Sequence, residues 1–292
     1  MKIKRKILVI GGAGFIGSNL CKELAKDKES EIFSLDNYST GLKDNHAANV
    51  KYIYGNSWDI SKHFNFKFDL IFHLGEYSRV EQSFKDVELV LESNVKGTFA
   101  VVEFWRKYGG KLIYAGSSTK FGDGGLARDM TPYNWTKAIN TELVNNYGEW
   151  FQLSYAITYF YNVYGDGEIR TGEYATLIGI YAEKSSKGEP LPVVAPGVQL
   201  RNFTHVLDII QGLIMVAEKG NGDDYGIGSD MQFSVLDVAK LFGGEIKMIP
   251  PRKGNRMYGE LHTTKIKEIG WEAKYNLYDY ISFLRDNNWE NK

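Results

Sequence analysis

The stretch Ile7-Leu8-Val9-Ile10-Gly11-Gly12-Ala13-Gly14-Phe15-Ile16-Gly17 decides the fold. Four consecutive apolar residues read as a strand buried on both faces, and the glycines after them open an amphipathic segment. A strand that passes through a glycine turn into a helix gathers free backbone N–H groups at the positive end of a helix dipole, which is a binding place for a dinucleotide pyrophosphate. Gly11 permits the tight turn, Gly14 leaves the backbone open to the phosphates, and Gly17 lets the helix pack closely on its strand. A second strand-like run, Glu31-Ile32-Phe33-Ser34-Leu35-Asp36, ends in an acid 19 residues after Gly17, where a carboxylate accepts both adenosine ribose hydroxyls. Turn and acid together predict NAD. The charge of Asp36 would repel a 2′-phosphate, although Lys43 lies close by.

Composition bounds the rest. The chain has 292 residues, 43% of them hydrophobic, which suits one large or two intimately packed domains. Its net charge is −1 with dispersed basic residues, so it lacks the electrostatic footprint of a nucleic-acid or membrane-surface binder, and small molecules are the expected partners. The single cysteine, Cys21, falls on the apolar side of the first helix and predicts a buried thiol; no disulfide framework is possible within the chain. The apolar run behind the basic N-terminus is only a strand long and leads into the glycine turn. It is expected to be neither signal peptide nor membrane span, and the expected location is cytoplasmic.

Strand-like runs recur at residues 6–10, 31–36, 51–54, 69–74, 111–116 and 156–161 with helix-length segments between most of them. This predicts an α/β fold, a Rossmann-type doubly wound parallel sheet. Past about residue 165 the alternation loosens, Gly and Pro punctuate, and helical stretches appear near 175–187, 206–219 and 234–242. The expected organisation is an NAD-binding domain over residues 1–165, to which some later segments return, and a smaller, partly interleaved α/β substrate lobe over 166–292. Ligands of such folds sit beyond the carboxyl ends of the strands, which places the site in the cleft between the lobes.

Tyr133-Asn134-Trp135-Thr136-Lys137 sets a phenol and an ammonium four residues apart, on one face of a helix that starts after Pro132. A nearby cation, helped by a positively charged nicotinamide, favours a phenolate, which makes a tyrosine a base for an alcohol proton. The fifth strand, Lys111-Leu112-Ile113-Tyr114-Ala115-Gly116, delivers Ser117-Ser118-Thr119 to the carboxyl edge of the sheet, where a hydroxyl can bond the same substrate oxygen.

With these residues assembled, the chain resembles the extended short-chain dehydrogenase/reductase family, and within it the nucleotide-sugar epimerases. The resemblance rests on Gly11-x-x-Gly14-x-x-Gly17, Asp36-Asn37, Asp59-Ile60, Phe72-His73-Leu74, Asn94-Val95-Lys96-Gly97-Thr98, Ser117 to Gly122, Tyr133-x-x-x-Lys137 and Tyr161-Asn162-Val163-Tyr164-Gly165, in the family's order. It implies that Ser117, Tyr133 and Lys137 are catalytic, with Ser118 beside the substrate and Lys137 also on the nicotinamide ribose. It implies cofactor contacts from Gly11, Gly14, Phe15, Ile16 and Gly17, and from Asp36 and Asn37. Asp59 and Ile60 border the adenine by the same resemblance, and Leu74, Gly75 and Asn94 complete the NAD site. Asn162 looks like the family's substrate-phosphate contact, and Thr176 falls in the substrate set. Gln199 to Asp208 and Pro251-Arg252-Lys253-Gly254 are similar to segments that grip a nucleoside diphosphate. Arg201 and Arg252 are the expected clamps, because a guanidinium pairs phosphate oxygens bidentately.

The family's 4,6-dehydratases carry an Asp-Glu pair after the catalytic hydroxyl, and its decarboxylases a Glu two places on; here Ser118 and Thr119 stand there. A dehydratase needs an acid to expel water, so epimerisation is the leading reading: Tyr133 takes a sugar hydroxyl proton, hydride passes to NAD, and the ketone rotates and accepts the hydride on its other face. The segment Gly172 to Tyr181 looks more like ADP-heptose 6-epimerases than galactose 4-epimerases. In those a lysine before the glycine is a second base, whereas here Thr171 holds that place with Arg170 beside it. Two alternatives stay open: a nucleotide-sugar 4-dehydrogenase that releases a keto sugar, for instance from a GDP-heptose, and a non-catalytic NAD-binding regulator.

His73 and His205 lie in apolar surroundings without metal-ligand spacing, so no metal site is expected. The helices near 93–108 and 133–150 carry Phe99, Val102, Trp105, Val144, Tyr147 and Trp150 on more than one face. Together with the resemblance, this predicts a homodimer through these two helices.

Overall fold

The computed structural model describes residues 4–251 and 259–290. Six strands alternate with helices as far as residue 160: β1 (Arg5–Ile10), β2 (Ser30–Asp36), β3 (Val50–Tyr54), β4 (Leu70–His73), β5 (Lys111–Ala115) and β6 (Ser154–Phe160). A seventh strand, Gly222–Ile227, joins them, and the sheet runs Gly222–Ile227, β6, β5, β4, β1, β2, β3 with every pair parallel. β1 lies between β2 and β4, so the strand order reverses there and a crevice opens beyond the carboxyl ends.

Alternation along β1 feeds two cores. Ile7 and Val9 join Phe72 and Ile113 in a cluster with Leu20 of the helix Phe15–Leu24 and with Ile209 and Leu213 of the helix Val206–Lys219. Leu8 and Ile10 join Ile71 and Leu112 in another with Val101 and Trp105 of the helix Gly97–Tyr108 and Val144 of the helix Pro132–Trp150. Helices on both faces are what the uninterrupted apolar run of β1 requires. Each such side chain, buried completely, contributes about 1.5–3 kcal/mol.

A third cluster, with Tyr164, Tyr181, Leu191, Phe203 and Phe233, is the centre of the smaller lobe. Its strands are short pairs: Leu191–Val194 beside Ile246–Ile249, and Leu200–Asn202 beside Gln232–Ser234. Between these segments the chain returns to the large sheet with the helix Val206–Lys219 and the strand Gly222–Ile227, because the apolar face of that helix covers one side of the sheet.

The joint between β1 and its helix closes on glycines. Gly11 has φ +86°, and a Cβ there would lie 2.7 Å from the backbone of Gly75; a Cβ on Gly17 would lie 2.0 Å from the Gly11 carbonyl oxygen. Cys21 is fully buried, and burial pushes its thiol up to about 12, so it is inert at neutral pH. Among the described residues, no helix is long and apolar enough to cross a membrane.

Candidate active site

The carboxyl edge of the sheet and the smaller lobe enclose a cavity of about 670 Å³. Gly11, Gly14, Phe15, Ile16 and Gly17 line it at one end, with Asp36 and Asn37 beside them. The helix Phe15–Leu24 begins at Gly14 with no side-chain cap and no acid in its first turn, so no side chain competes with a phosphate for its terminal N–H groups. A Cβ on Gly14 would meet only the Gly11 carbonyl oxygen, at 3.5 Å, which leaves its other side open to a ligand. Asp36 accepts hydrogen bonds from the backbone N–H groups of Ala13 and Tyr38, each at 2.8 Å, and its oxygens keep lone pairs for ribose hydroxyls. These residues fit a dinucleotide.

Leu74 and Gly75, just after β4, also line the cavity. Three other residues expected at the cofactor lie outside the lining. Asp59 pairs with Lys62 at 2.7 Å, and Ile60 is turned into the core with Leu8 and Leu35, while their neighbours Ser57 and Trp58 face the cavity. Asn94 is fully buried in a single π-helical turn, Leu91–Lys96. Its side-chain Oδ1 accepts the Tyr77 N–H at 2.7 Å and its Nδ2 donates to Thr136 Oγ1 at 3.0 Å, so it anchors the segment that follows β4.

The helix Pro132–Trp150 starts where its sequence dictates: Thr131 caps it by accepting the Asn134 N–H at 3.0 Å, and Pro132 occupies the first turn. Tyr133 and Lys137 consequently share a face and line the cavity with Ser117 and Ser118. The Tyr133 hydroxyl lies 3.2 Å from Ser117 Oγ, which is 2.9 Å from Thr119 Oγ1.

Lys137 Nζ donates to the carbonyl of Ala115 and to the carboxylate of Glu76, a residue the sequence reading missed. The two side chains are 7% and 3% exposed, respectively. Glu76 also accepts from Asn140 Nδ2 at 2.8 Å, from the Tyr114 hydroxyl at 3.0 Å and from Thr98 Oγ1. Burial acts to raise its pKa, but the Lys137 charge and the donated hydrogen bonds outweigh it and hold the carboxyl below its ordinary value. Burial and the same carboxylate push the Tyr114 phenol well up, so Tyr114 is a neutral donor. His73 Nε2 lies 3.0 Å from Thr98 Oγ1, and burial brings the imidazole down to about 4, hence neutral. The available signal for Glu76 was an acid three residues past an apolar strand, at the edge where ligands bind.

Asn162, Thr176 and Arg201 line the cavity from the smaller-lobe side. Asn162 donates to the Asn202 carbonyl at 2.8 Å, Arg201 to the Leu200 carbonyl at 2.8 Å, and Thr176 caps the helix Leu177–Ser186 by accepting the Gly179 N–H at 3.1 Å. Arg79, also missed, lines the cavity and ties two loops together by donating from Nε to the Tyr174 carbonyl at 2.9 Å. Arg170 reaches instead to the Trp289 carbonyl, and neither it nor Thr171 lines the cavity. Arg252 lies outside the described residues. His205 stacks on Tyr275 and burial lowers it to about 4. Among the described residues, no group of three or more His, Cys, Asp or Glu side chains is placed to hold a metal.

A parallel sheet with a glycine turn, an acid at the end of β2 and a Tyr-x-x-x-Lys pair on one cavity defines a nicotinamide-dinucleotide fold of the Rossmann type. Residues 7–228 match the NAD dependent epimerase/dehydratase family, and the chain belongs to it. Its cofactor is NAD. The UDP-glucose 4-epimerase of Thermotoga maritima, solved with UDP-glucose, superposes with a TM-score of 0.88 at 25% identity over 97% of this chain and 99% of that one. The Thermus thermophilus UDP-glucose 4-epimerase complex with NAD superposes with a TM-score of 0.85 at 25% identity, covering 97% and 98%. UDP-glucuronic acid decarboxylase 6 of Arabidopsis thaliana is 26% identical over 96% of this chain and 88% of its own.

Proposed function

We propose that the chain is an NAD-dependent nucleotide-sugar epimerase that inverts a carbinol centre through a transient ketone. The observation that carries this reading is the set of groups around Tyr133. The strand end beside it offers the hydroxyls of Ser117, Ser118 and Thr119 and no carboxylate. Glu76, the carboxylate within reach of Lys137, is held ionised among several donors and has no proton to give to a leaving group.

When bound, NAD supplies the hydride acceptor for the oxidation and the hydride donor for the return. Tyr133 takes the proton of the sugar hydroxyl and later gives it back, and Ser117 hydrogen-bonds the same oxygen. Lys137, one helical turn on, meets the nicotinamide ribose. Asp36 holds the adenosine ribose, and Asn162 and Arg201, with Arg252, hold the nucleoside diphosphate. The sugar is that of UDP-glucose or a nucleotide-linked heptose. Residues 1–165, with later segments that return to the large sheet such as 206–227 and 264–271, form the cofactor half, and the sugar half comes mainly from the other described residues after 165. Of the apolar residues on the two candidate dimer helices, Phe99 and Trp150 remain 52% and 64% exposed and support a homodimer there, whereas Val102, Trp105 and Val144 are covered within the monomer.

The test is to incubate the purified protein with ADP-, GDP-, UDP- and dTDP-sugars in heavy water, recording nicotinamide absorbance and proton spectra. A new diastereomer without lasting NADH supports the epimerase. Lasting NADH with a keto sugar identifies a dehydrogenase, and binding of NAD with no turnover across the panel favours an untested heptose substrate or a non-catalytic role.

A further inference from the structure

Glu76 and Lys137 form a buried ion pair inside the ligand cavity, not in the packed cores of the sheet. Donors from three elements fix the carboxylate: Tyr114 of β5, Thr98 of the helix Gly97–Tyr108 and Asn140 of the helix Pro132–Trp150. Lys137 is anchored in turn by the carbonyl of Ala115 at the end of β5. A buried ion pair is weak evidence for stability, because apolar residues of similar volume often serve the fold as well. The charges therefore call for a reason at the site itself.

The nicotinamide carries a positive charge when oxidised and none when reduced. An unpaired ammonium among the groups that meet it would repel the oxidised form alone and tilt the bound couple toward NADH. An ammonium paired with a carboxylate does not.

We propose that Glu76 is a positioning residue that fixes the Lys137 ammonium at the end of β5 and cancels its charge, so that the site holds NAD in its oxidised state between turnovers. The inference rests on the NAD site and on placing the nicotinamide beside Tyr133 and Lys137. It goes beyond the epimerase reading, because it assigns the redox poise of the site to a residue outside the Tyr-Lys pair.

The test is to titrate the full-length protein with NAD+ and, separately, with NADH, and to compare the ratio of the two dissociation constants, which fixes the potential of the bound couple. Glu76→Gln leaves the ammonium uncompensated and is expected to weaken NAD+ relative to NADH by about tenfold. Adding Lys137→Met removes that excess charge and is expected to return the ratio close to the wild-type value. Should Glu76→Gln fail to fold, Lys137→Met alone carries the test, with the ratio expected to move the opposite way, toward NAD+. A ratio that stays constant in these variants, or a double variant that does not restore it, overturns the proposal. A wild-type protein that binds neither form overturns it together with the cofactor assignment. Ratios that respond as stated, in a protein that turns over no nucleotide sugar, leave Glu76 its role and remove the epimerase reading.

Discussion

Tyr133 and Ser117 come from different elements, a helix and the end of a strand, yet their oxygens lie 3.2 Å apart at the cavity wall. One substrate oxygen can therefore meet both. Replacing Tyr133 with Phe removes the base and keeps the ring, so turnover is expected to fall by about 10²–10⁴-fold with NAD still bound. Steady-state rates together with cofactor content check this, and retained activity would take Tyr133 out of the base role.

Gly14 and Gly17 are separated by one helical turn but are glycine for different reasons. A methyl group on Gly17 would strike the Gly11 carbonyl oxygen, whereas one on Gly14 would make only ordinary protein contacts and point into ligand space. Gly17→Ala is expected to lose about 1–3 kcal/mol of stability. Gly14→Ala is expected to melt near the wild-type temperature and to lose NAD affinity. Thermal denaturation with and without NAD separates the two effects.

Asp36 braces the glycine turn through the Ala13 N–H and faces the cofactor end of the cavity. Asp36→Asn keeps the shape and removes the charge. A hydrogen bond to a charged group contributes about 1.5–3 kcal/mol, so NAD is expected to bind at least about tenfold more weakly, and discrimination against NADP is expected to narrow. Titration with both nucleotides reads this directly.

Glu168 is buried, and burial pushes its carboxyl from 4.5 up to about 7 despite the hydrogen bond from Thr176. Because the folded value is the higher one, its contribution to stability is complete below about pH 4.5, declines as pH rises to about 7 and is gone above that. The full span corresponds to about 3 kcal/mol. Glu168→Gln does not ionise, so its stability relative to the wild type is expected to rise across that interval. Urea denaturation over the same pH range measures the difference, and parallel curves would contradict the assignment.

Much of this was legible in the sequence because local rules and tertiary needs agree. The apolar run of β1, the glycines behind it and Asp36 at the end of β2 each have one structural use, and Pro132 after a Thr cap places Tyr133 and Lys137 on one helix face. Residues whose surroundings come from distant segments were harder to read. Asp59 and Ile60 sit at the start of a short helix whose rotation sends Ile60 into the core and Asp59 to Lys62. Asn94 is drawn inward by the backbone of Tyr77, 17 residues away in the chain. Glu76 acquires its meaning only from Thr98, Tyr114, Lys137 and Asn140, none of which is near it in sequence.

The most direct test of the epimerase assignment follows the hydrogen that moves. The nucleotide sugar that the protein converts is prepared with deuterium on the carbon that is inverted, and the product is examined by mass and proton spectra. The inverted product is expected to keep the deuterium on that carbon, with no accumulation of NADH. Deuterium found in accumulated NADH, with a keto sugar released, would contradict the assignment.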